Sequence, residues 1–440
     1  MKSKTSITPS AVVPAATRLL LAVLLTLVGC EVTPEKVEVW KNSVNGAPKL
    51  RAAVRDTGQK IDVRVLAAEA LVELGHLGPL GEDLKHIGKD KADQTKVVNA
   101  LVGKLMKKMK GQGSGRAQLS AKDALFSLRP YLSDAKKTEV TKAMISWMLA
   151  DWARRSGGDH SGPKIVQAAG AAAGPAVADA VANDPERVVE LANLLAAVGS
   201  AADKKAGTAK LIELGKKKPS AAVFEAIGKV KDASGRAFLV SEAQTGEVKK
   251  RQMALLSLKL TPNPSLIKPM AALAGNAKEE GELRDAAFSV LEKVKKPETA
   301  DALLPMLSDS NKIVRYRTAE ALVSCCGSAG VAKLLGGLSS KYPYEKDDVK
   351  DYLQKVIQGL GKSVLPTVRK ALASESWIAR LVAVQVLGEV GTISDLPGLQ
   401  KLTSDKTKLK HESWGKGATL GAVALAAVAR VKKRGAAEKK

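Results

Sequence analysis

The sequence predicts an all-α protein, an α-solenoid of stacked helical hairpins forming a curved rod, and three observations carry that prediction. From Lys49 onward apolar residues recur at three- and four-residue spacing, and no long alternating stretch argues for strands. Glycine, proline and Ser/Asp clusters interrupt at short intervals, which cuts the helices to roughly 10–15 residues. One segment also repeats: VRVLAAEALVELG (Val63 to Gly75), LRDAAFSVLEKV (Leu283 to Val294), VRYRTAEALVSCCG (Val314 to Gly327) and ARLVAVQVLGEVG (Ala379 to Gly391). A second helix follows three of these, in TADALLPMLSDSN, AGVAKLLGGLSS and SDLPGLQKLTSDK.

Composition agrees with close helix packing. The 440 residues are 45% hydrophobic but only 3% aromatic, so cores must be built from Ala, Leu and Val. Basic or equivalent positions can be chained as Arg187, Ser220, Arg251, Arg284, Arg315, Lys350, Arg380 and His411, with gaps of 33, 31, 33, 31, 35, 30 and 31. A period this steady over more than half the chain means stacked repeats, each burying its apolar face on its neighbour.

These segments resemble HEAT repeats, particularly the short subclass with Val-Arg, Ala-Ala and Leu-Gly that bilin lyases also carry. The Asp-x-x-Val-Arg pattern of that family is approached at Ile61-Asp62-Val63-Arg64, and at Asp309 ahead of Val314-Arg315. The resemblance implies a structural ladder of aspartate and arginine along the stack, through Arg64, Arg284, Arg315 and Arg380. It is specific in the four quoted segments, degenerate near Arg187, Ser220 and Lys350, and weak between Gly111 and Asp184.

The N-terminus reads as an export signal. Lys2, Lys4 and Arg18 precede ten uncharged residues, Leu19 to Val28, too few for a membrane-spanning helix. The closing Leu27-Val28-Gly29-Cys30 resembles the lipobox of bacterial lipoproteins, which implies cleavage between Gly29 and Cys30 and lipid on Cys30. An ordinary cleaved signal with a chance cysteine is the plainer alternative. The expected organisation is a signal peptide over 1–29, a lipid anchor and tether over 30–47 and irregular helical repeats over 48–155. A joint with an alanine-rich helical pair over 156–183, a regular array over 184–431 and a basic tail over 432–440 complete it. Within the tether, Trp40 is expected to be the first residue to pack.

Formal charge is +25, and +22 once Lys2, Lys4 and Arg18 leave with the signal. Inside a cell such a balance would point to nucleic acid. An exported protein meets lipid headgroups, anionic envelope polymers or acidic proteins instead. The candidate anion-binding surface is the set of irregular lysines, Lys107, Lys108, Lys110, Lys216, Lys217, Lys218, Lys249 and Lys250, with the tail beyond Lys432. The plainer reading is a solvated face.

Other constellations do not hold together. Gly361-Lys362-Ser363 ends like a phosphate-binding loop, but Val356 stands where its first glycine should be. KKMKGQGSGR (107–116) reads as a flexible loop. His76, His86, His160 and His411 lie far apart without metal-ligand spacing, and His76 and His86 beside Glu82 and Asp83 read as solvated turn residues. Adjacent residues on a helix point about 100° apart, so Cys325 and Cys326 are expected to pack as two small apolar side chains rather than to join. AMISWMLADWARR (143–155) reads as one helix carrying Trp147 and Trp152, and Trp377 and Trp414 read as core.

The resulting expectation is a non-enzymatic, lipid-anchored envelope protein that binds another macromolecule. No cofactor or metal is expected. Its partner is an unidentified protein or anionic envelope polymer, and Glu31 after Cys30 points to the outer membrane, facing the periplasm. The rivals are a nucleic-acid binder, opposed by the signal, and a lyase-type repeat enzyme, for which no reactive residue set is present.

Overall fold

A computed structural model describes residues 31–111, 115–338, 352–410 and 412–437. The signal residues, Gly29, Cys30, Lys350, His411 and the last three residues of the tail lie outside them. The fold class is as expected: paired helices follow one another, and among the described residues the only β pairing is one antiparallel bridge, Lys408 with Thr419. The chain divides into two compact units, Met1–Ala176 and Val177–Lys440. That division falls inside the stretch read as a joint.

The first unit contains α1 (Pro34–Lys41), α2 (Gly46–Arg55), α3 (Ile61–Glu73), α4 (Leu77–Ile87), α5 (Lys91–Lys110), α6 (Gly115–Leu128), α7 (Asp134–Leu149), α8 (Trp152–Arg155) and α9 (Gly162–Ala169). Helix α10 (Gly174–Ala180) contains the division. Two expectations are corrected here. Residues read as tether hold a helix, α1: Thr33 caps it, Pro34 opens it, and Val37 is buried where it packs on α2 and α3. One buried residue in a polar octapeptide leaves no periodicity to detect. The segment 143–155 is two helices, because Asp151 leaves helical geometry at φ −159°, ψ 70°.

In the second unit the first helices of successive hairpins are α11 (Val188–Val198), α13 (Ala221–Val230), α15 (Val248–Leu260), α17 (Gly281–Val294), α19 (Lys312–Gly337), α20 (Leu353–Gln358), α22 (Trp377–Val390) and α24 (Leu420–Ala437). Each packs on the next in that order. Between them run α12 (Ala201–Lys217), α14 (Ala233–Thr245), α16 (Ile267–Gly275), α18 (Pro297–Leu303), α21 (Leu365–Ala371) and α23 (Leu396–Lys401). Small residues set the spacing. A Cβ on Gly207 would lie 2.4 Å from a Leu195 methyl, so glycine is what lets α12 approach α11. Helix α22 buries ten residues from Ile378 to Gly388, each large apolar side chain contributing about 1.5–3 kcal/mol.

Helix α19 is long and apolar enough to cross a membrane. It is instead two stacked helices joined at Gly327 (φ 54°, ψ −131°), with Arg315 buried among its neighbours. This break also corrects the reading of the cysteines. Cys325 and Cys326 form a disulfide, their Cα atoms 3.8 Å apart. They close the first helix immediately before Gly327 rather than lying mid-helix, so the geometry that separates side chains inside a helix does not continue past them.

Candidate functional site

In five helices an arginine at the fourth position clamps the stack: Arg64 in α3, Arg251 in α15, Arg284 in α17, Arg315 in α19 and Arg380 in α22. Each reaches back to a carbonyl that closes the preceding hairpin. Arg64 Nε donates to Val54 O at 3.0 Å, Arg251 Nε to Ala243 O at 2.9 Å, and Arg284 Nε to Ala274 O at 2.8 Å. Arg315 Nη1 donates to Asp309 O, and Arg380 Nη1 to Ser374 O. Among the described residues four also reach forward to an acid beyond their own hairpin: Arg64 to Asp93 at 2.7 Å, Arg251 to Glu279, Arg284 to Asp309 at 3.2 Å and Arg380 to Asp405 at 3.1 Å. Asp309 thus links two rungs, its carboxylate taking Arg284 and its carbonyl taking Arg315. The guanidinium of Arg251 holds Glu279 below the usual carboxylate range. Arg187 and Ser220, which the spacing placed in the same series, are N-caps of α11 and α13 instead. Leu191 and Phe224 occupy the fourth positions there, so these two rungs lack the arginine.

The structure separates the candidate lysines. Lys107, Lys108 and Lys110 end α5 in the first unit, where Lys108 pairs with Glu73 and Glu69. Lys216, Lys217 and Lys218 end α12, with Lys217 on Glu213 at 2.6 Å, and Lys249 and Lys250 open α15. The last five flank the turns between hairpins, exposed or half-exposed.

A different edge of the same unit holds a groove of about 750 Å³. The ends of α11, α13 and α15 form it, with the turn into α14 between them. Its cations are Lys229, Lys231 and Arg236; Asn193, Thr261 and Asn263 add polar groups, and Leu239, Leu260 and Pro262 an apolar wall. Gly228 brings α13 against α15, since a Cβ there would meet Ser257 Oγ at 2.6 Å. Lys231 closes α13 in the left-handed region at φ 62°, ψ 27°, a conformation glycine adopts freely and other residues at a cost of about 1–2 kcal/mol. Asp232, the one acid in the lining, caps α14 through Ser234 N at 2.9 Å. Burial pushes its carboxyl up, but the hydrogen bonds from Ser234 and the adjacent backbone hold it below the usual range. Sequence reasoning passed over this groove. The available signal was lysine at a hairpin turn where the equivalent positions after α3 and α11 are Gly75 and Gly199.

In the first unit the strongest polar feature is structural. Lys122 is fully buried, lies 3.0 Å from Asp123 and donates to the carbonyls of Gly157 and His160. Asp123 accepts from the backbone of Asp159 and His160 at 2.8 and 3.0 Å. Together they grip the 156–161 loop. His160 Nε2 lies 2.9 Å from Ser127 Oγ, while Lys164 Nζ faces its Nδ1 at 3.4 Å. Both ring nitrogens thus have a polar neighbour, and the tautomer decides which of them donates. Burial lowers the His160 pKa, against the pull of Asp123.

Asp83, expected in a solvated turn, is instead fully buried and receives Arg51 and Arg55 at 2.9 and 2.5 Å. Those arginines come from α2, too far back in the chain for the local segment to announce them. Among the described residues no group of three His, Cys, Asp or Glu side chains could hold a metal ion. Gly361 to Val364 is a turn of 3₁₀ helix. Trp147 and Trp152 are buried, whereas Trp40, Trp377 and Trp414 are half-buried.

Stacked hairpins with an arginine clamp at a fixed helix position define a helical-repeat protein. Residues 236–323 match the family model of HEAT repeats, the stretch that contains Arg251, Arg284 and Arg315. No curated protein matches the chain.

Proposed function

We propose that this is a non-enzymatic, lipid-anchored envelope protein of the short HEAT subclass, whose helical-repeat surface binds or scaffolds another macromolecule. The observation that carries the binding role is the groove at the α11, α13 and α15 ends, where cations gather on a repeat stack whose clamp arginines are consumed in holding it together. Leu27 to Cys30 supports the anchor, since a positive leader and a short apolar run precede it. The Cys325–Cys326 disulfide fits an oxidising compartment such as the periplasm.

The test is metabolic labelling with a clickable fatty acid and membrane fractionation of the wild type beside Cys30→Ala. Labelled wild type that sediments with outer membranes, beside an unlabelled and unprocessed variant, supports the anchored reading. An unlabelled wild type recovered in the cytoplasm overturns it.

A further inference from the structure

We infer that the groove between the ends of α11, α13 and α15 is a docking site for an acidic peptide segment, with Arg236 and Lys231 as its carboxylate anchors. The inference deepens the binding role proposed above and rests on it. Four observations converge on it.

Arg236 is half-buried, and its guanidinium makes no hydrogen bond or ion pair with any described residue. It is also the fourth residue of α14, inside the first turn. A helix N-terminus carries partial positive charge, so a cation there is disfavoured by its own helix. The arginines at the fourth positions of α3, α15, α17, α19 and α22 all have carbonyl acceptors, and this one has none. Its donors face the groove and are open to an acceptor from outside the chain.

Lys231 supplies the second observation. It closes α13 at positive φ, as Lys295 closes α17, but Lys231 stands on the rim of the groove, with no partner for its ammonium among the described residues. Its ammonium is therefore available to a carboxylate entering the groove beside Arg236. Third, the lining is net positive, three cations against one carboxylate, and that carboxylate is already occupied as a helix cap. Lys229 lies 3.8 Å from Glu225, a loose pair.

The fourth observation selects the class of ligand. Asn193 and the amide nitrogen of Asn263 can serve the donors and acceptors of a peptide backbone. Leu239, Leu260 and Pro262 give apolar side chains a wall. No aromatic residue lines the groove, whereas single-stranded nucleic acid is held largely by stacking on aromatic side chains. A protein segment rich in Asp or Glu with interspersed small apolar residues satisfies every surface present.

The experiment uses the purified full-length protein in detergent and a fluorescein-labelled peptide alternating glutamate and alanine, read by anisotropy. Arg236→Gln should weaken binding at least about tenfold, the loss of one charge-assisted contact. Lys231→Gly should weaken it while raising the melting temperature, a divergence that a structural role for Lys231 cannot produce. Replacing Lys216, Lys217 and Lys218 together by Gln removes more charge from the opposite edge and should change binding by less than about twofold.

Equal losses in the triple variant and in Arg236→Gln would reduce the groove to unspecific charge and overturn the assignment. So would a single-stranded oligonucleotide that displaces the peptide with the same dependence on Arg236. If crosslinking in cells captures an envelope partner equally well with Arg236→Gln, the scaffold reading stands and the groove assignment fails. Arg236-dependent peptide binding by a chain that proves not to be lipidated has the reverse meaning: the groove assignment stands and the anchored reading fails.

Discussion

Residues 236–323 and residues 115–163 reach order by opposite means. In the first stretch one clamp is reused: an arginine at a fixed helix position reaches back to a carbonyl and forward to an acid, and Asp309 passes the link from Arg284 to Arg315. In the second, a single buried pair, Lys122 and Asp123, holds a loop about 35 residues on, and nothing like it recurs nearby. The reused clamp spreads stability along a stack in which each hairpin depends on its neighbours. The single clamp concentrates stability at one place. Substitutions should therefore act at different range in the two stretches, with the largest effect falling on the single clamp.

Lys122→Met leaves Asp123 buried without its counter-ion and frees two carbonyls. The expected loss is about 4 kcal/mol, confined to the first unit, and chemical denaturation followed by tryptophan fluorescence checks it, since Trp147 and Trp152 lie nearby in sequence. Arg284→Ala should cost about 3 kcal/mol, because Asp309 keeps its charge with little solvent to receive it. A double-mutant cycle with Asp309→Asn should show coupling, while a cycle pairing Arg284→Ala with Lys122→Met should be additive.

Acid should loosen the ladder next. The Arg251 hydrogen bond holds Glu279 below the usual carboxylate range, and Asp405 is held low by Thr407 and Arg380 against the opposing effect of burial. A carboxyl whose folded pKa lies below its unfolded value stabilises the fold above the unfolded pKa. That stability is lost as pH falls through the folded pKa. The melting temperature should therefore hold from neutral pH to about pH 5 and fall below about pH 4. Arg251→Gln should shallow that fall, which differential scanning calorimetry across the pH series would detect.

The smallest effect has the opposite sign. Lys295 closes α17 in the left-handed region at φ 50°, and Lys295→Gly should stabilise the protein by up to about 1 kcal/mol. Thermal unfolding measures it, and a decrease would show that the lysine side chain holds something the backbone cost conceals.

The same contrast explains what could be read from the sequence. Arg64, Arg284, Arg315 and Arg380 were legible because each recurs with the same flanking Val, Ala and Leu, so the stack and its clamp residues showed as a period. The register blurred at Arg187 and Ser220, where an N-cap happened to sit at the right spacing. Lys122, Asp123 and Asp83 were illegible, since a buried ion pair leaves no pattern along the chain and its partners lie about 30 residues away. Cys325 and Cys326 misled because the helix ends one residue later, at Gly327. Arg236 and Lys231 were passed over for the opposite reason: the lysine-rich runs 107–110 and 216–218 drew attention to charge density. What sets Arg236 apart from the clamp arginines is the missing partner, and only the folded arrangement reveals that.

The difference in range can be measured directly by hydrogen exchange with mass spectrometry on the wild type, Arg284→Ala and Lys122→Met. The shared ladder predicts that Arg284→Ala speeds exchange in α15 and α19 as well as in α17, while Lys122→Met speeds it only within 115–163. Arg284→Ala effects confined to α17, or Lys122→Met effects spreading through the first unit as far as α3, would show that the two clamps do not differ in reach.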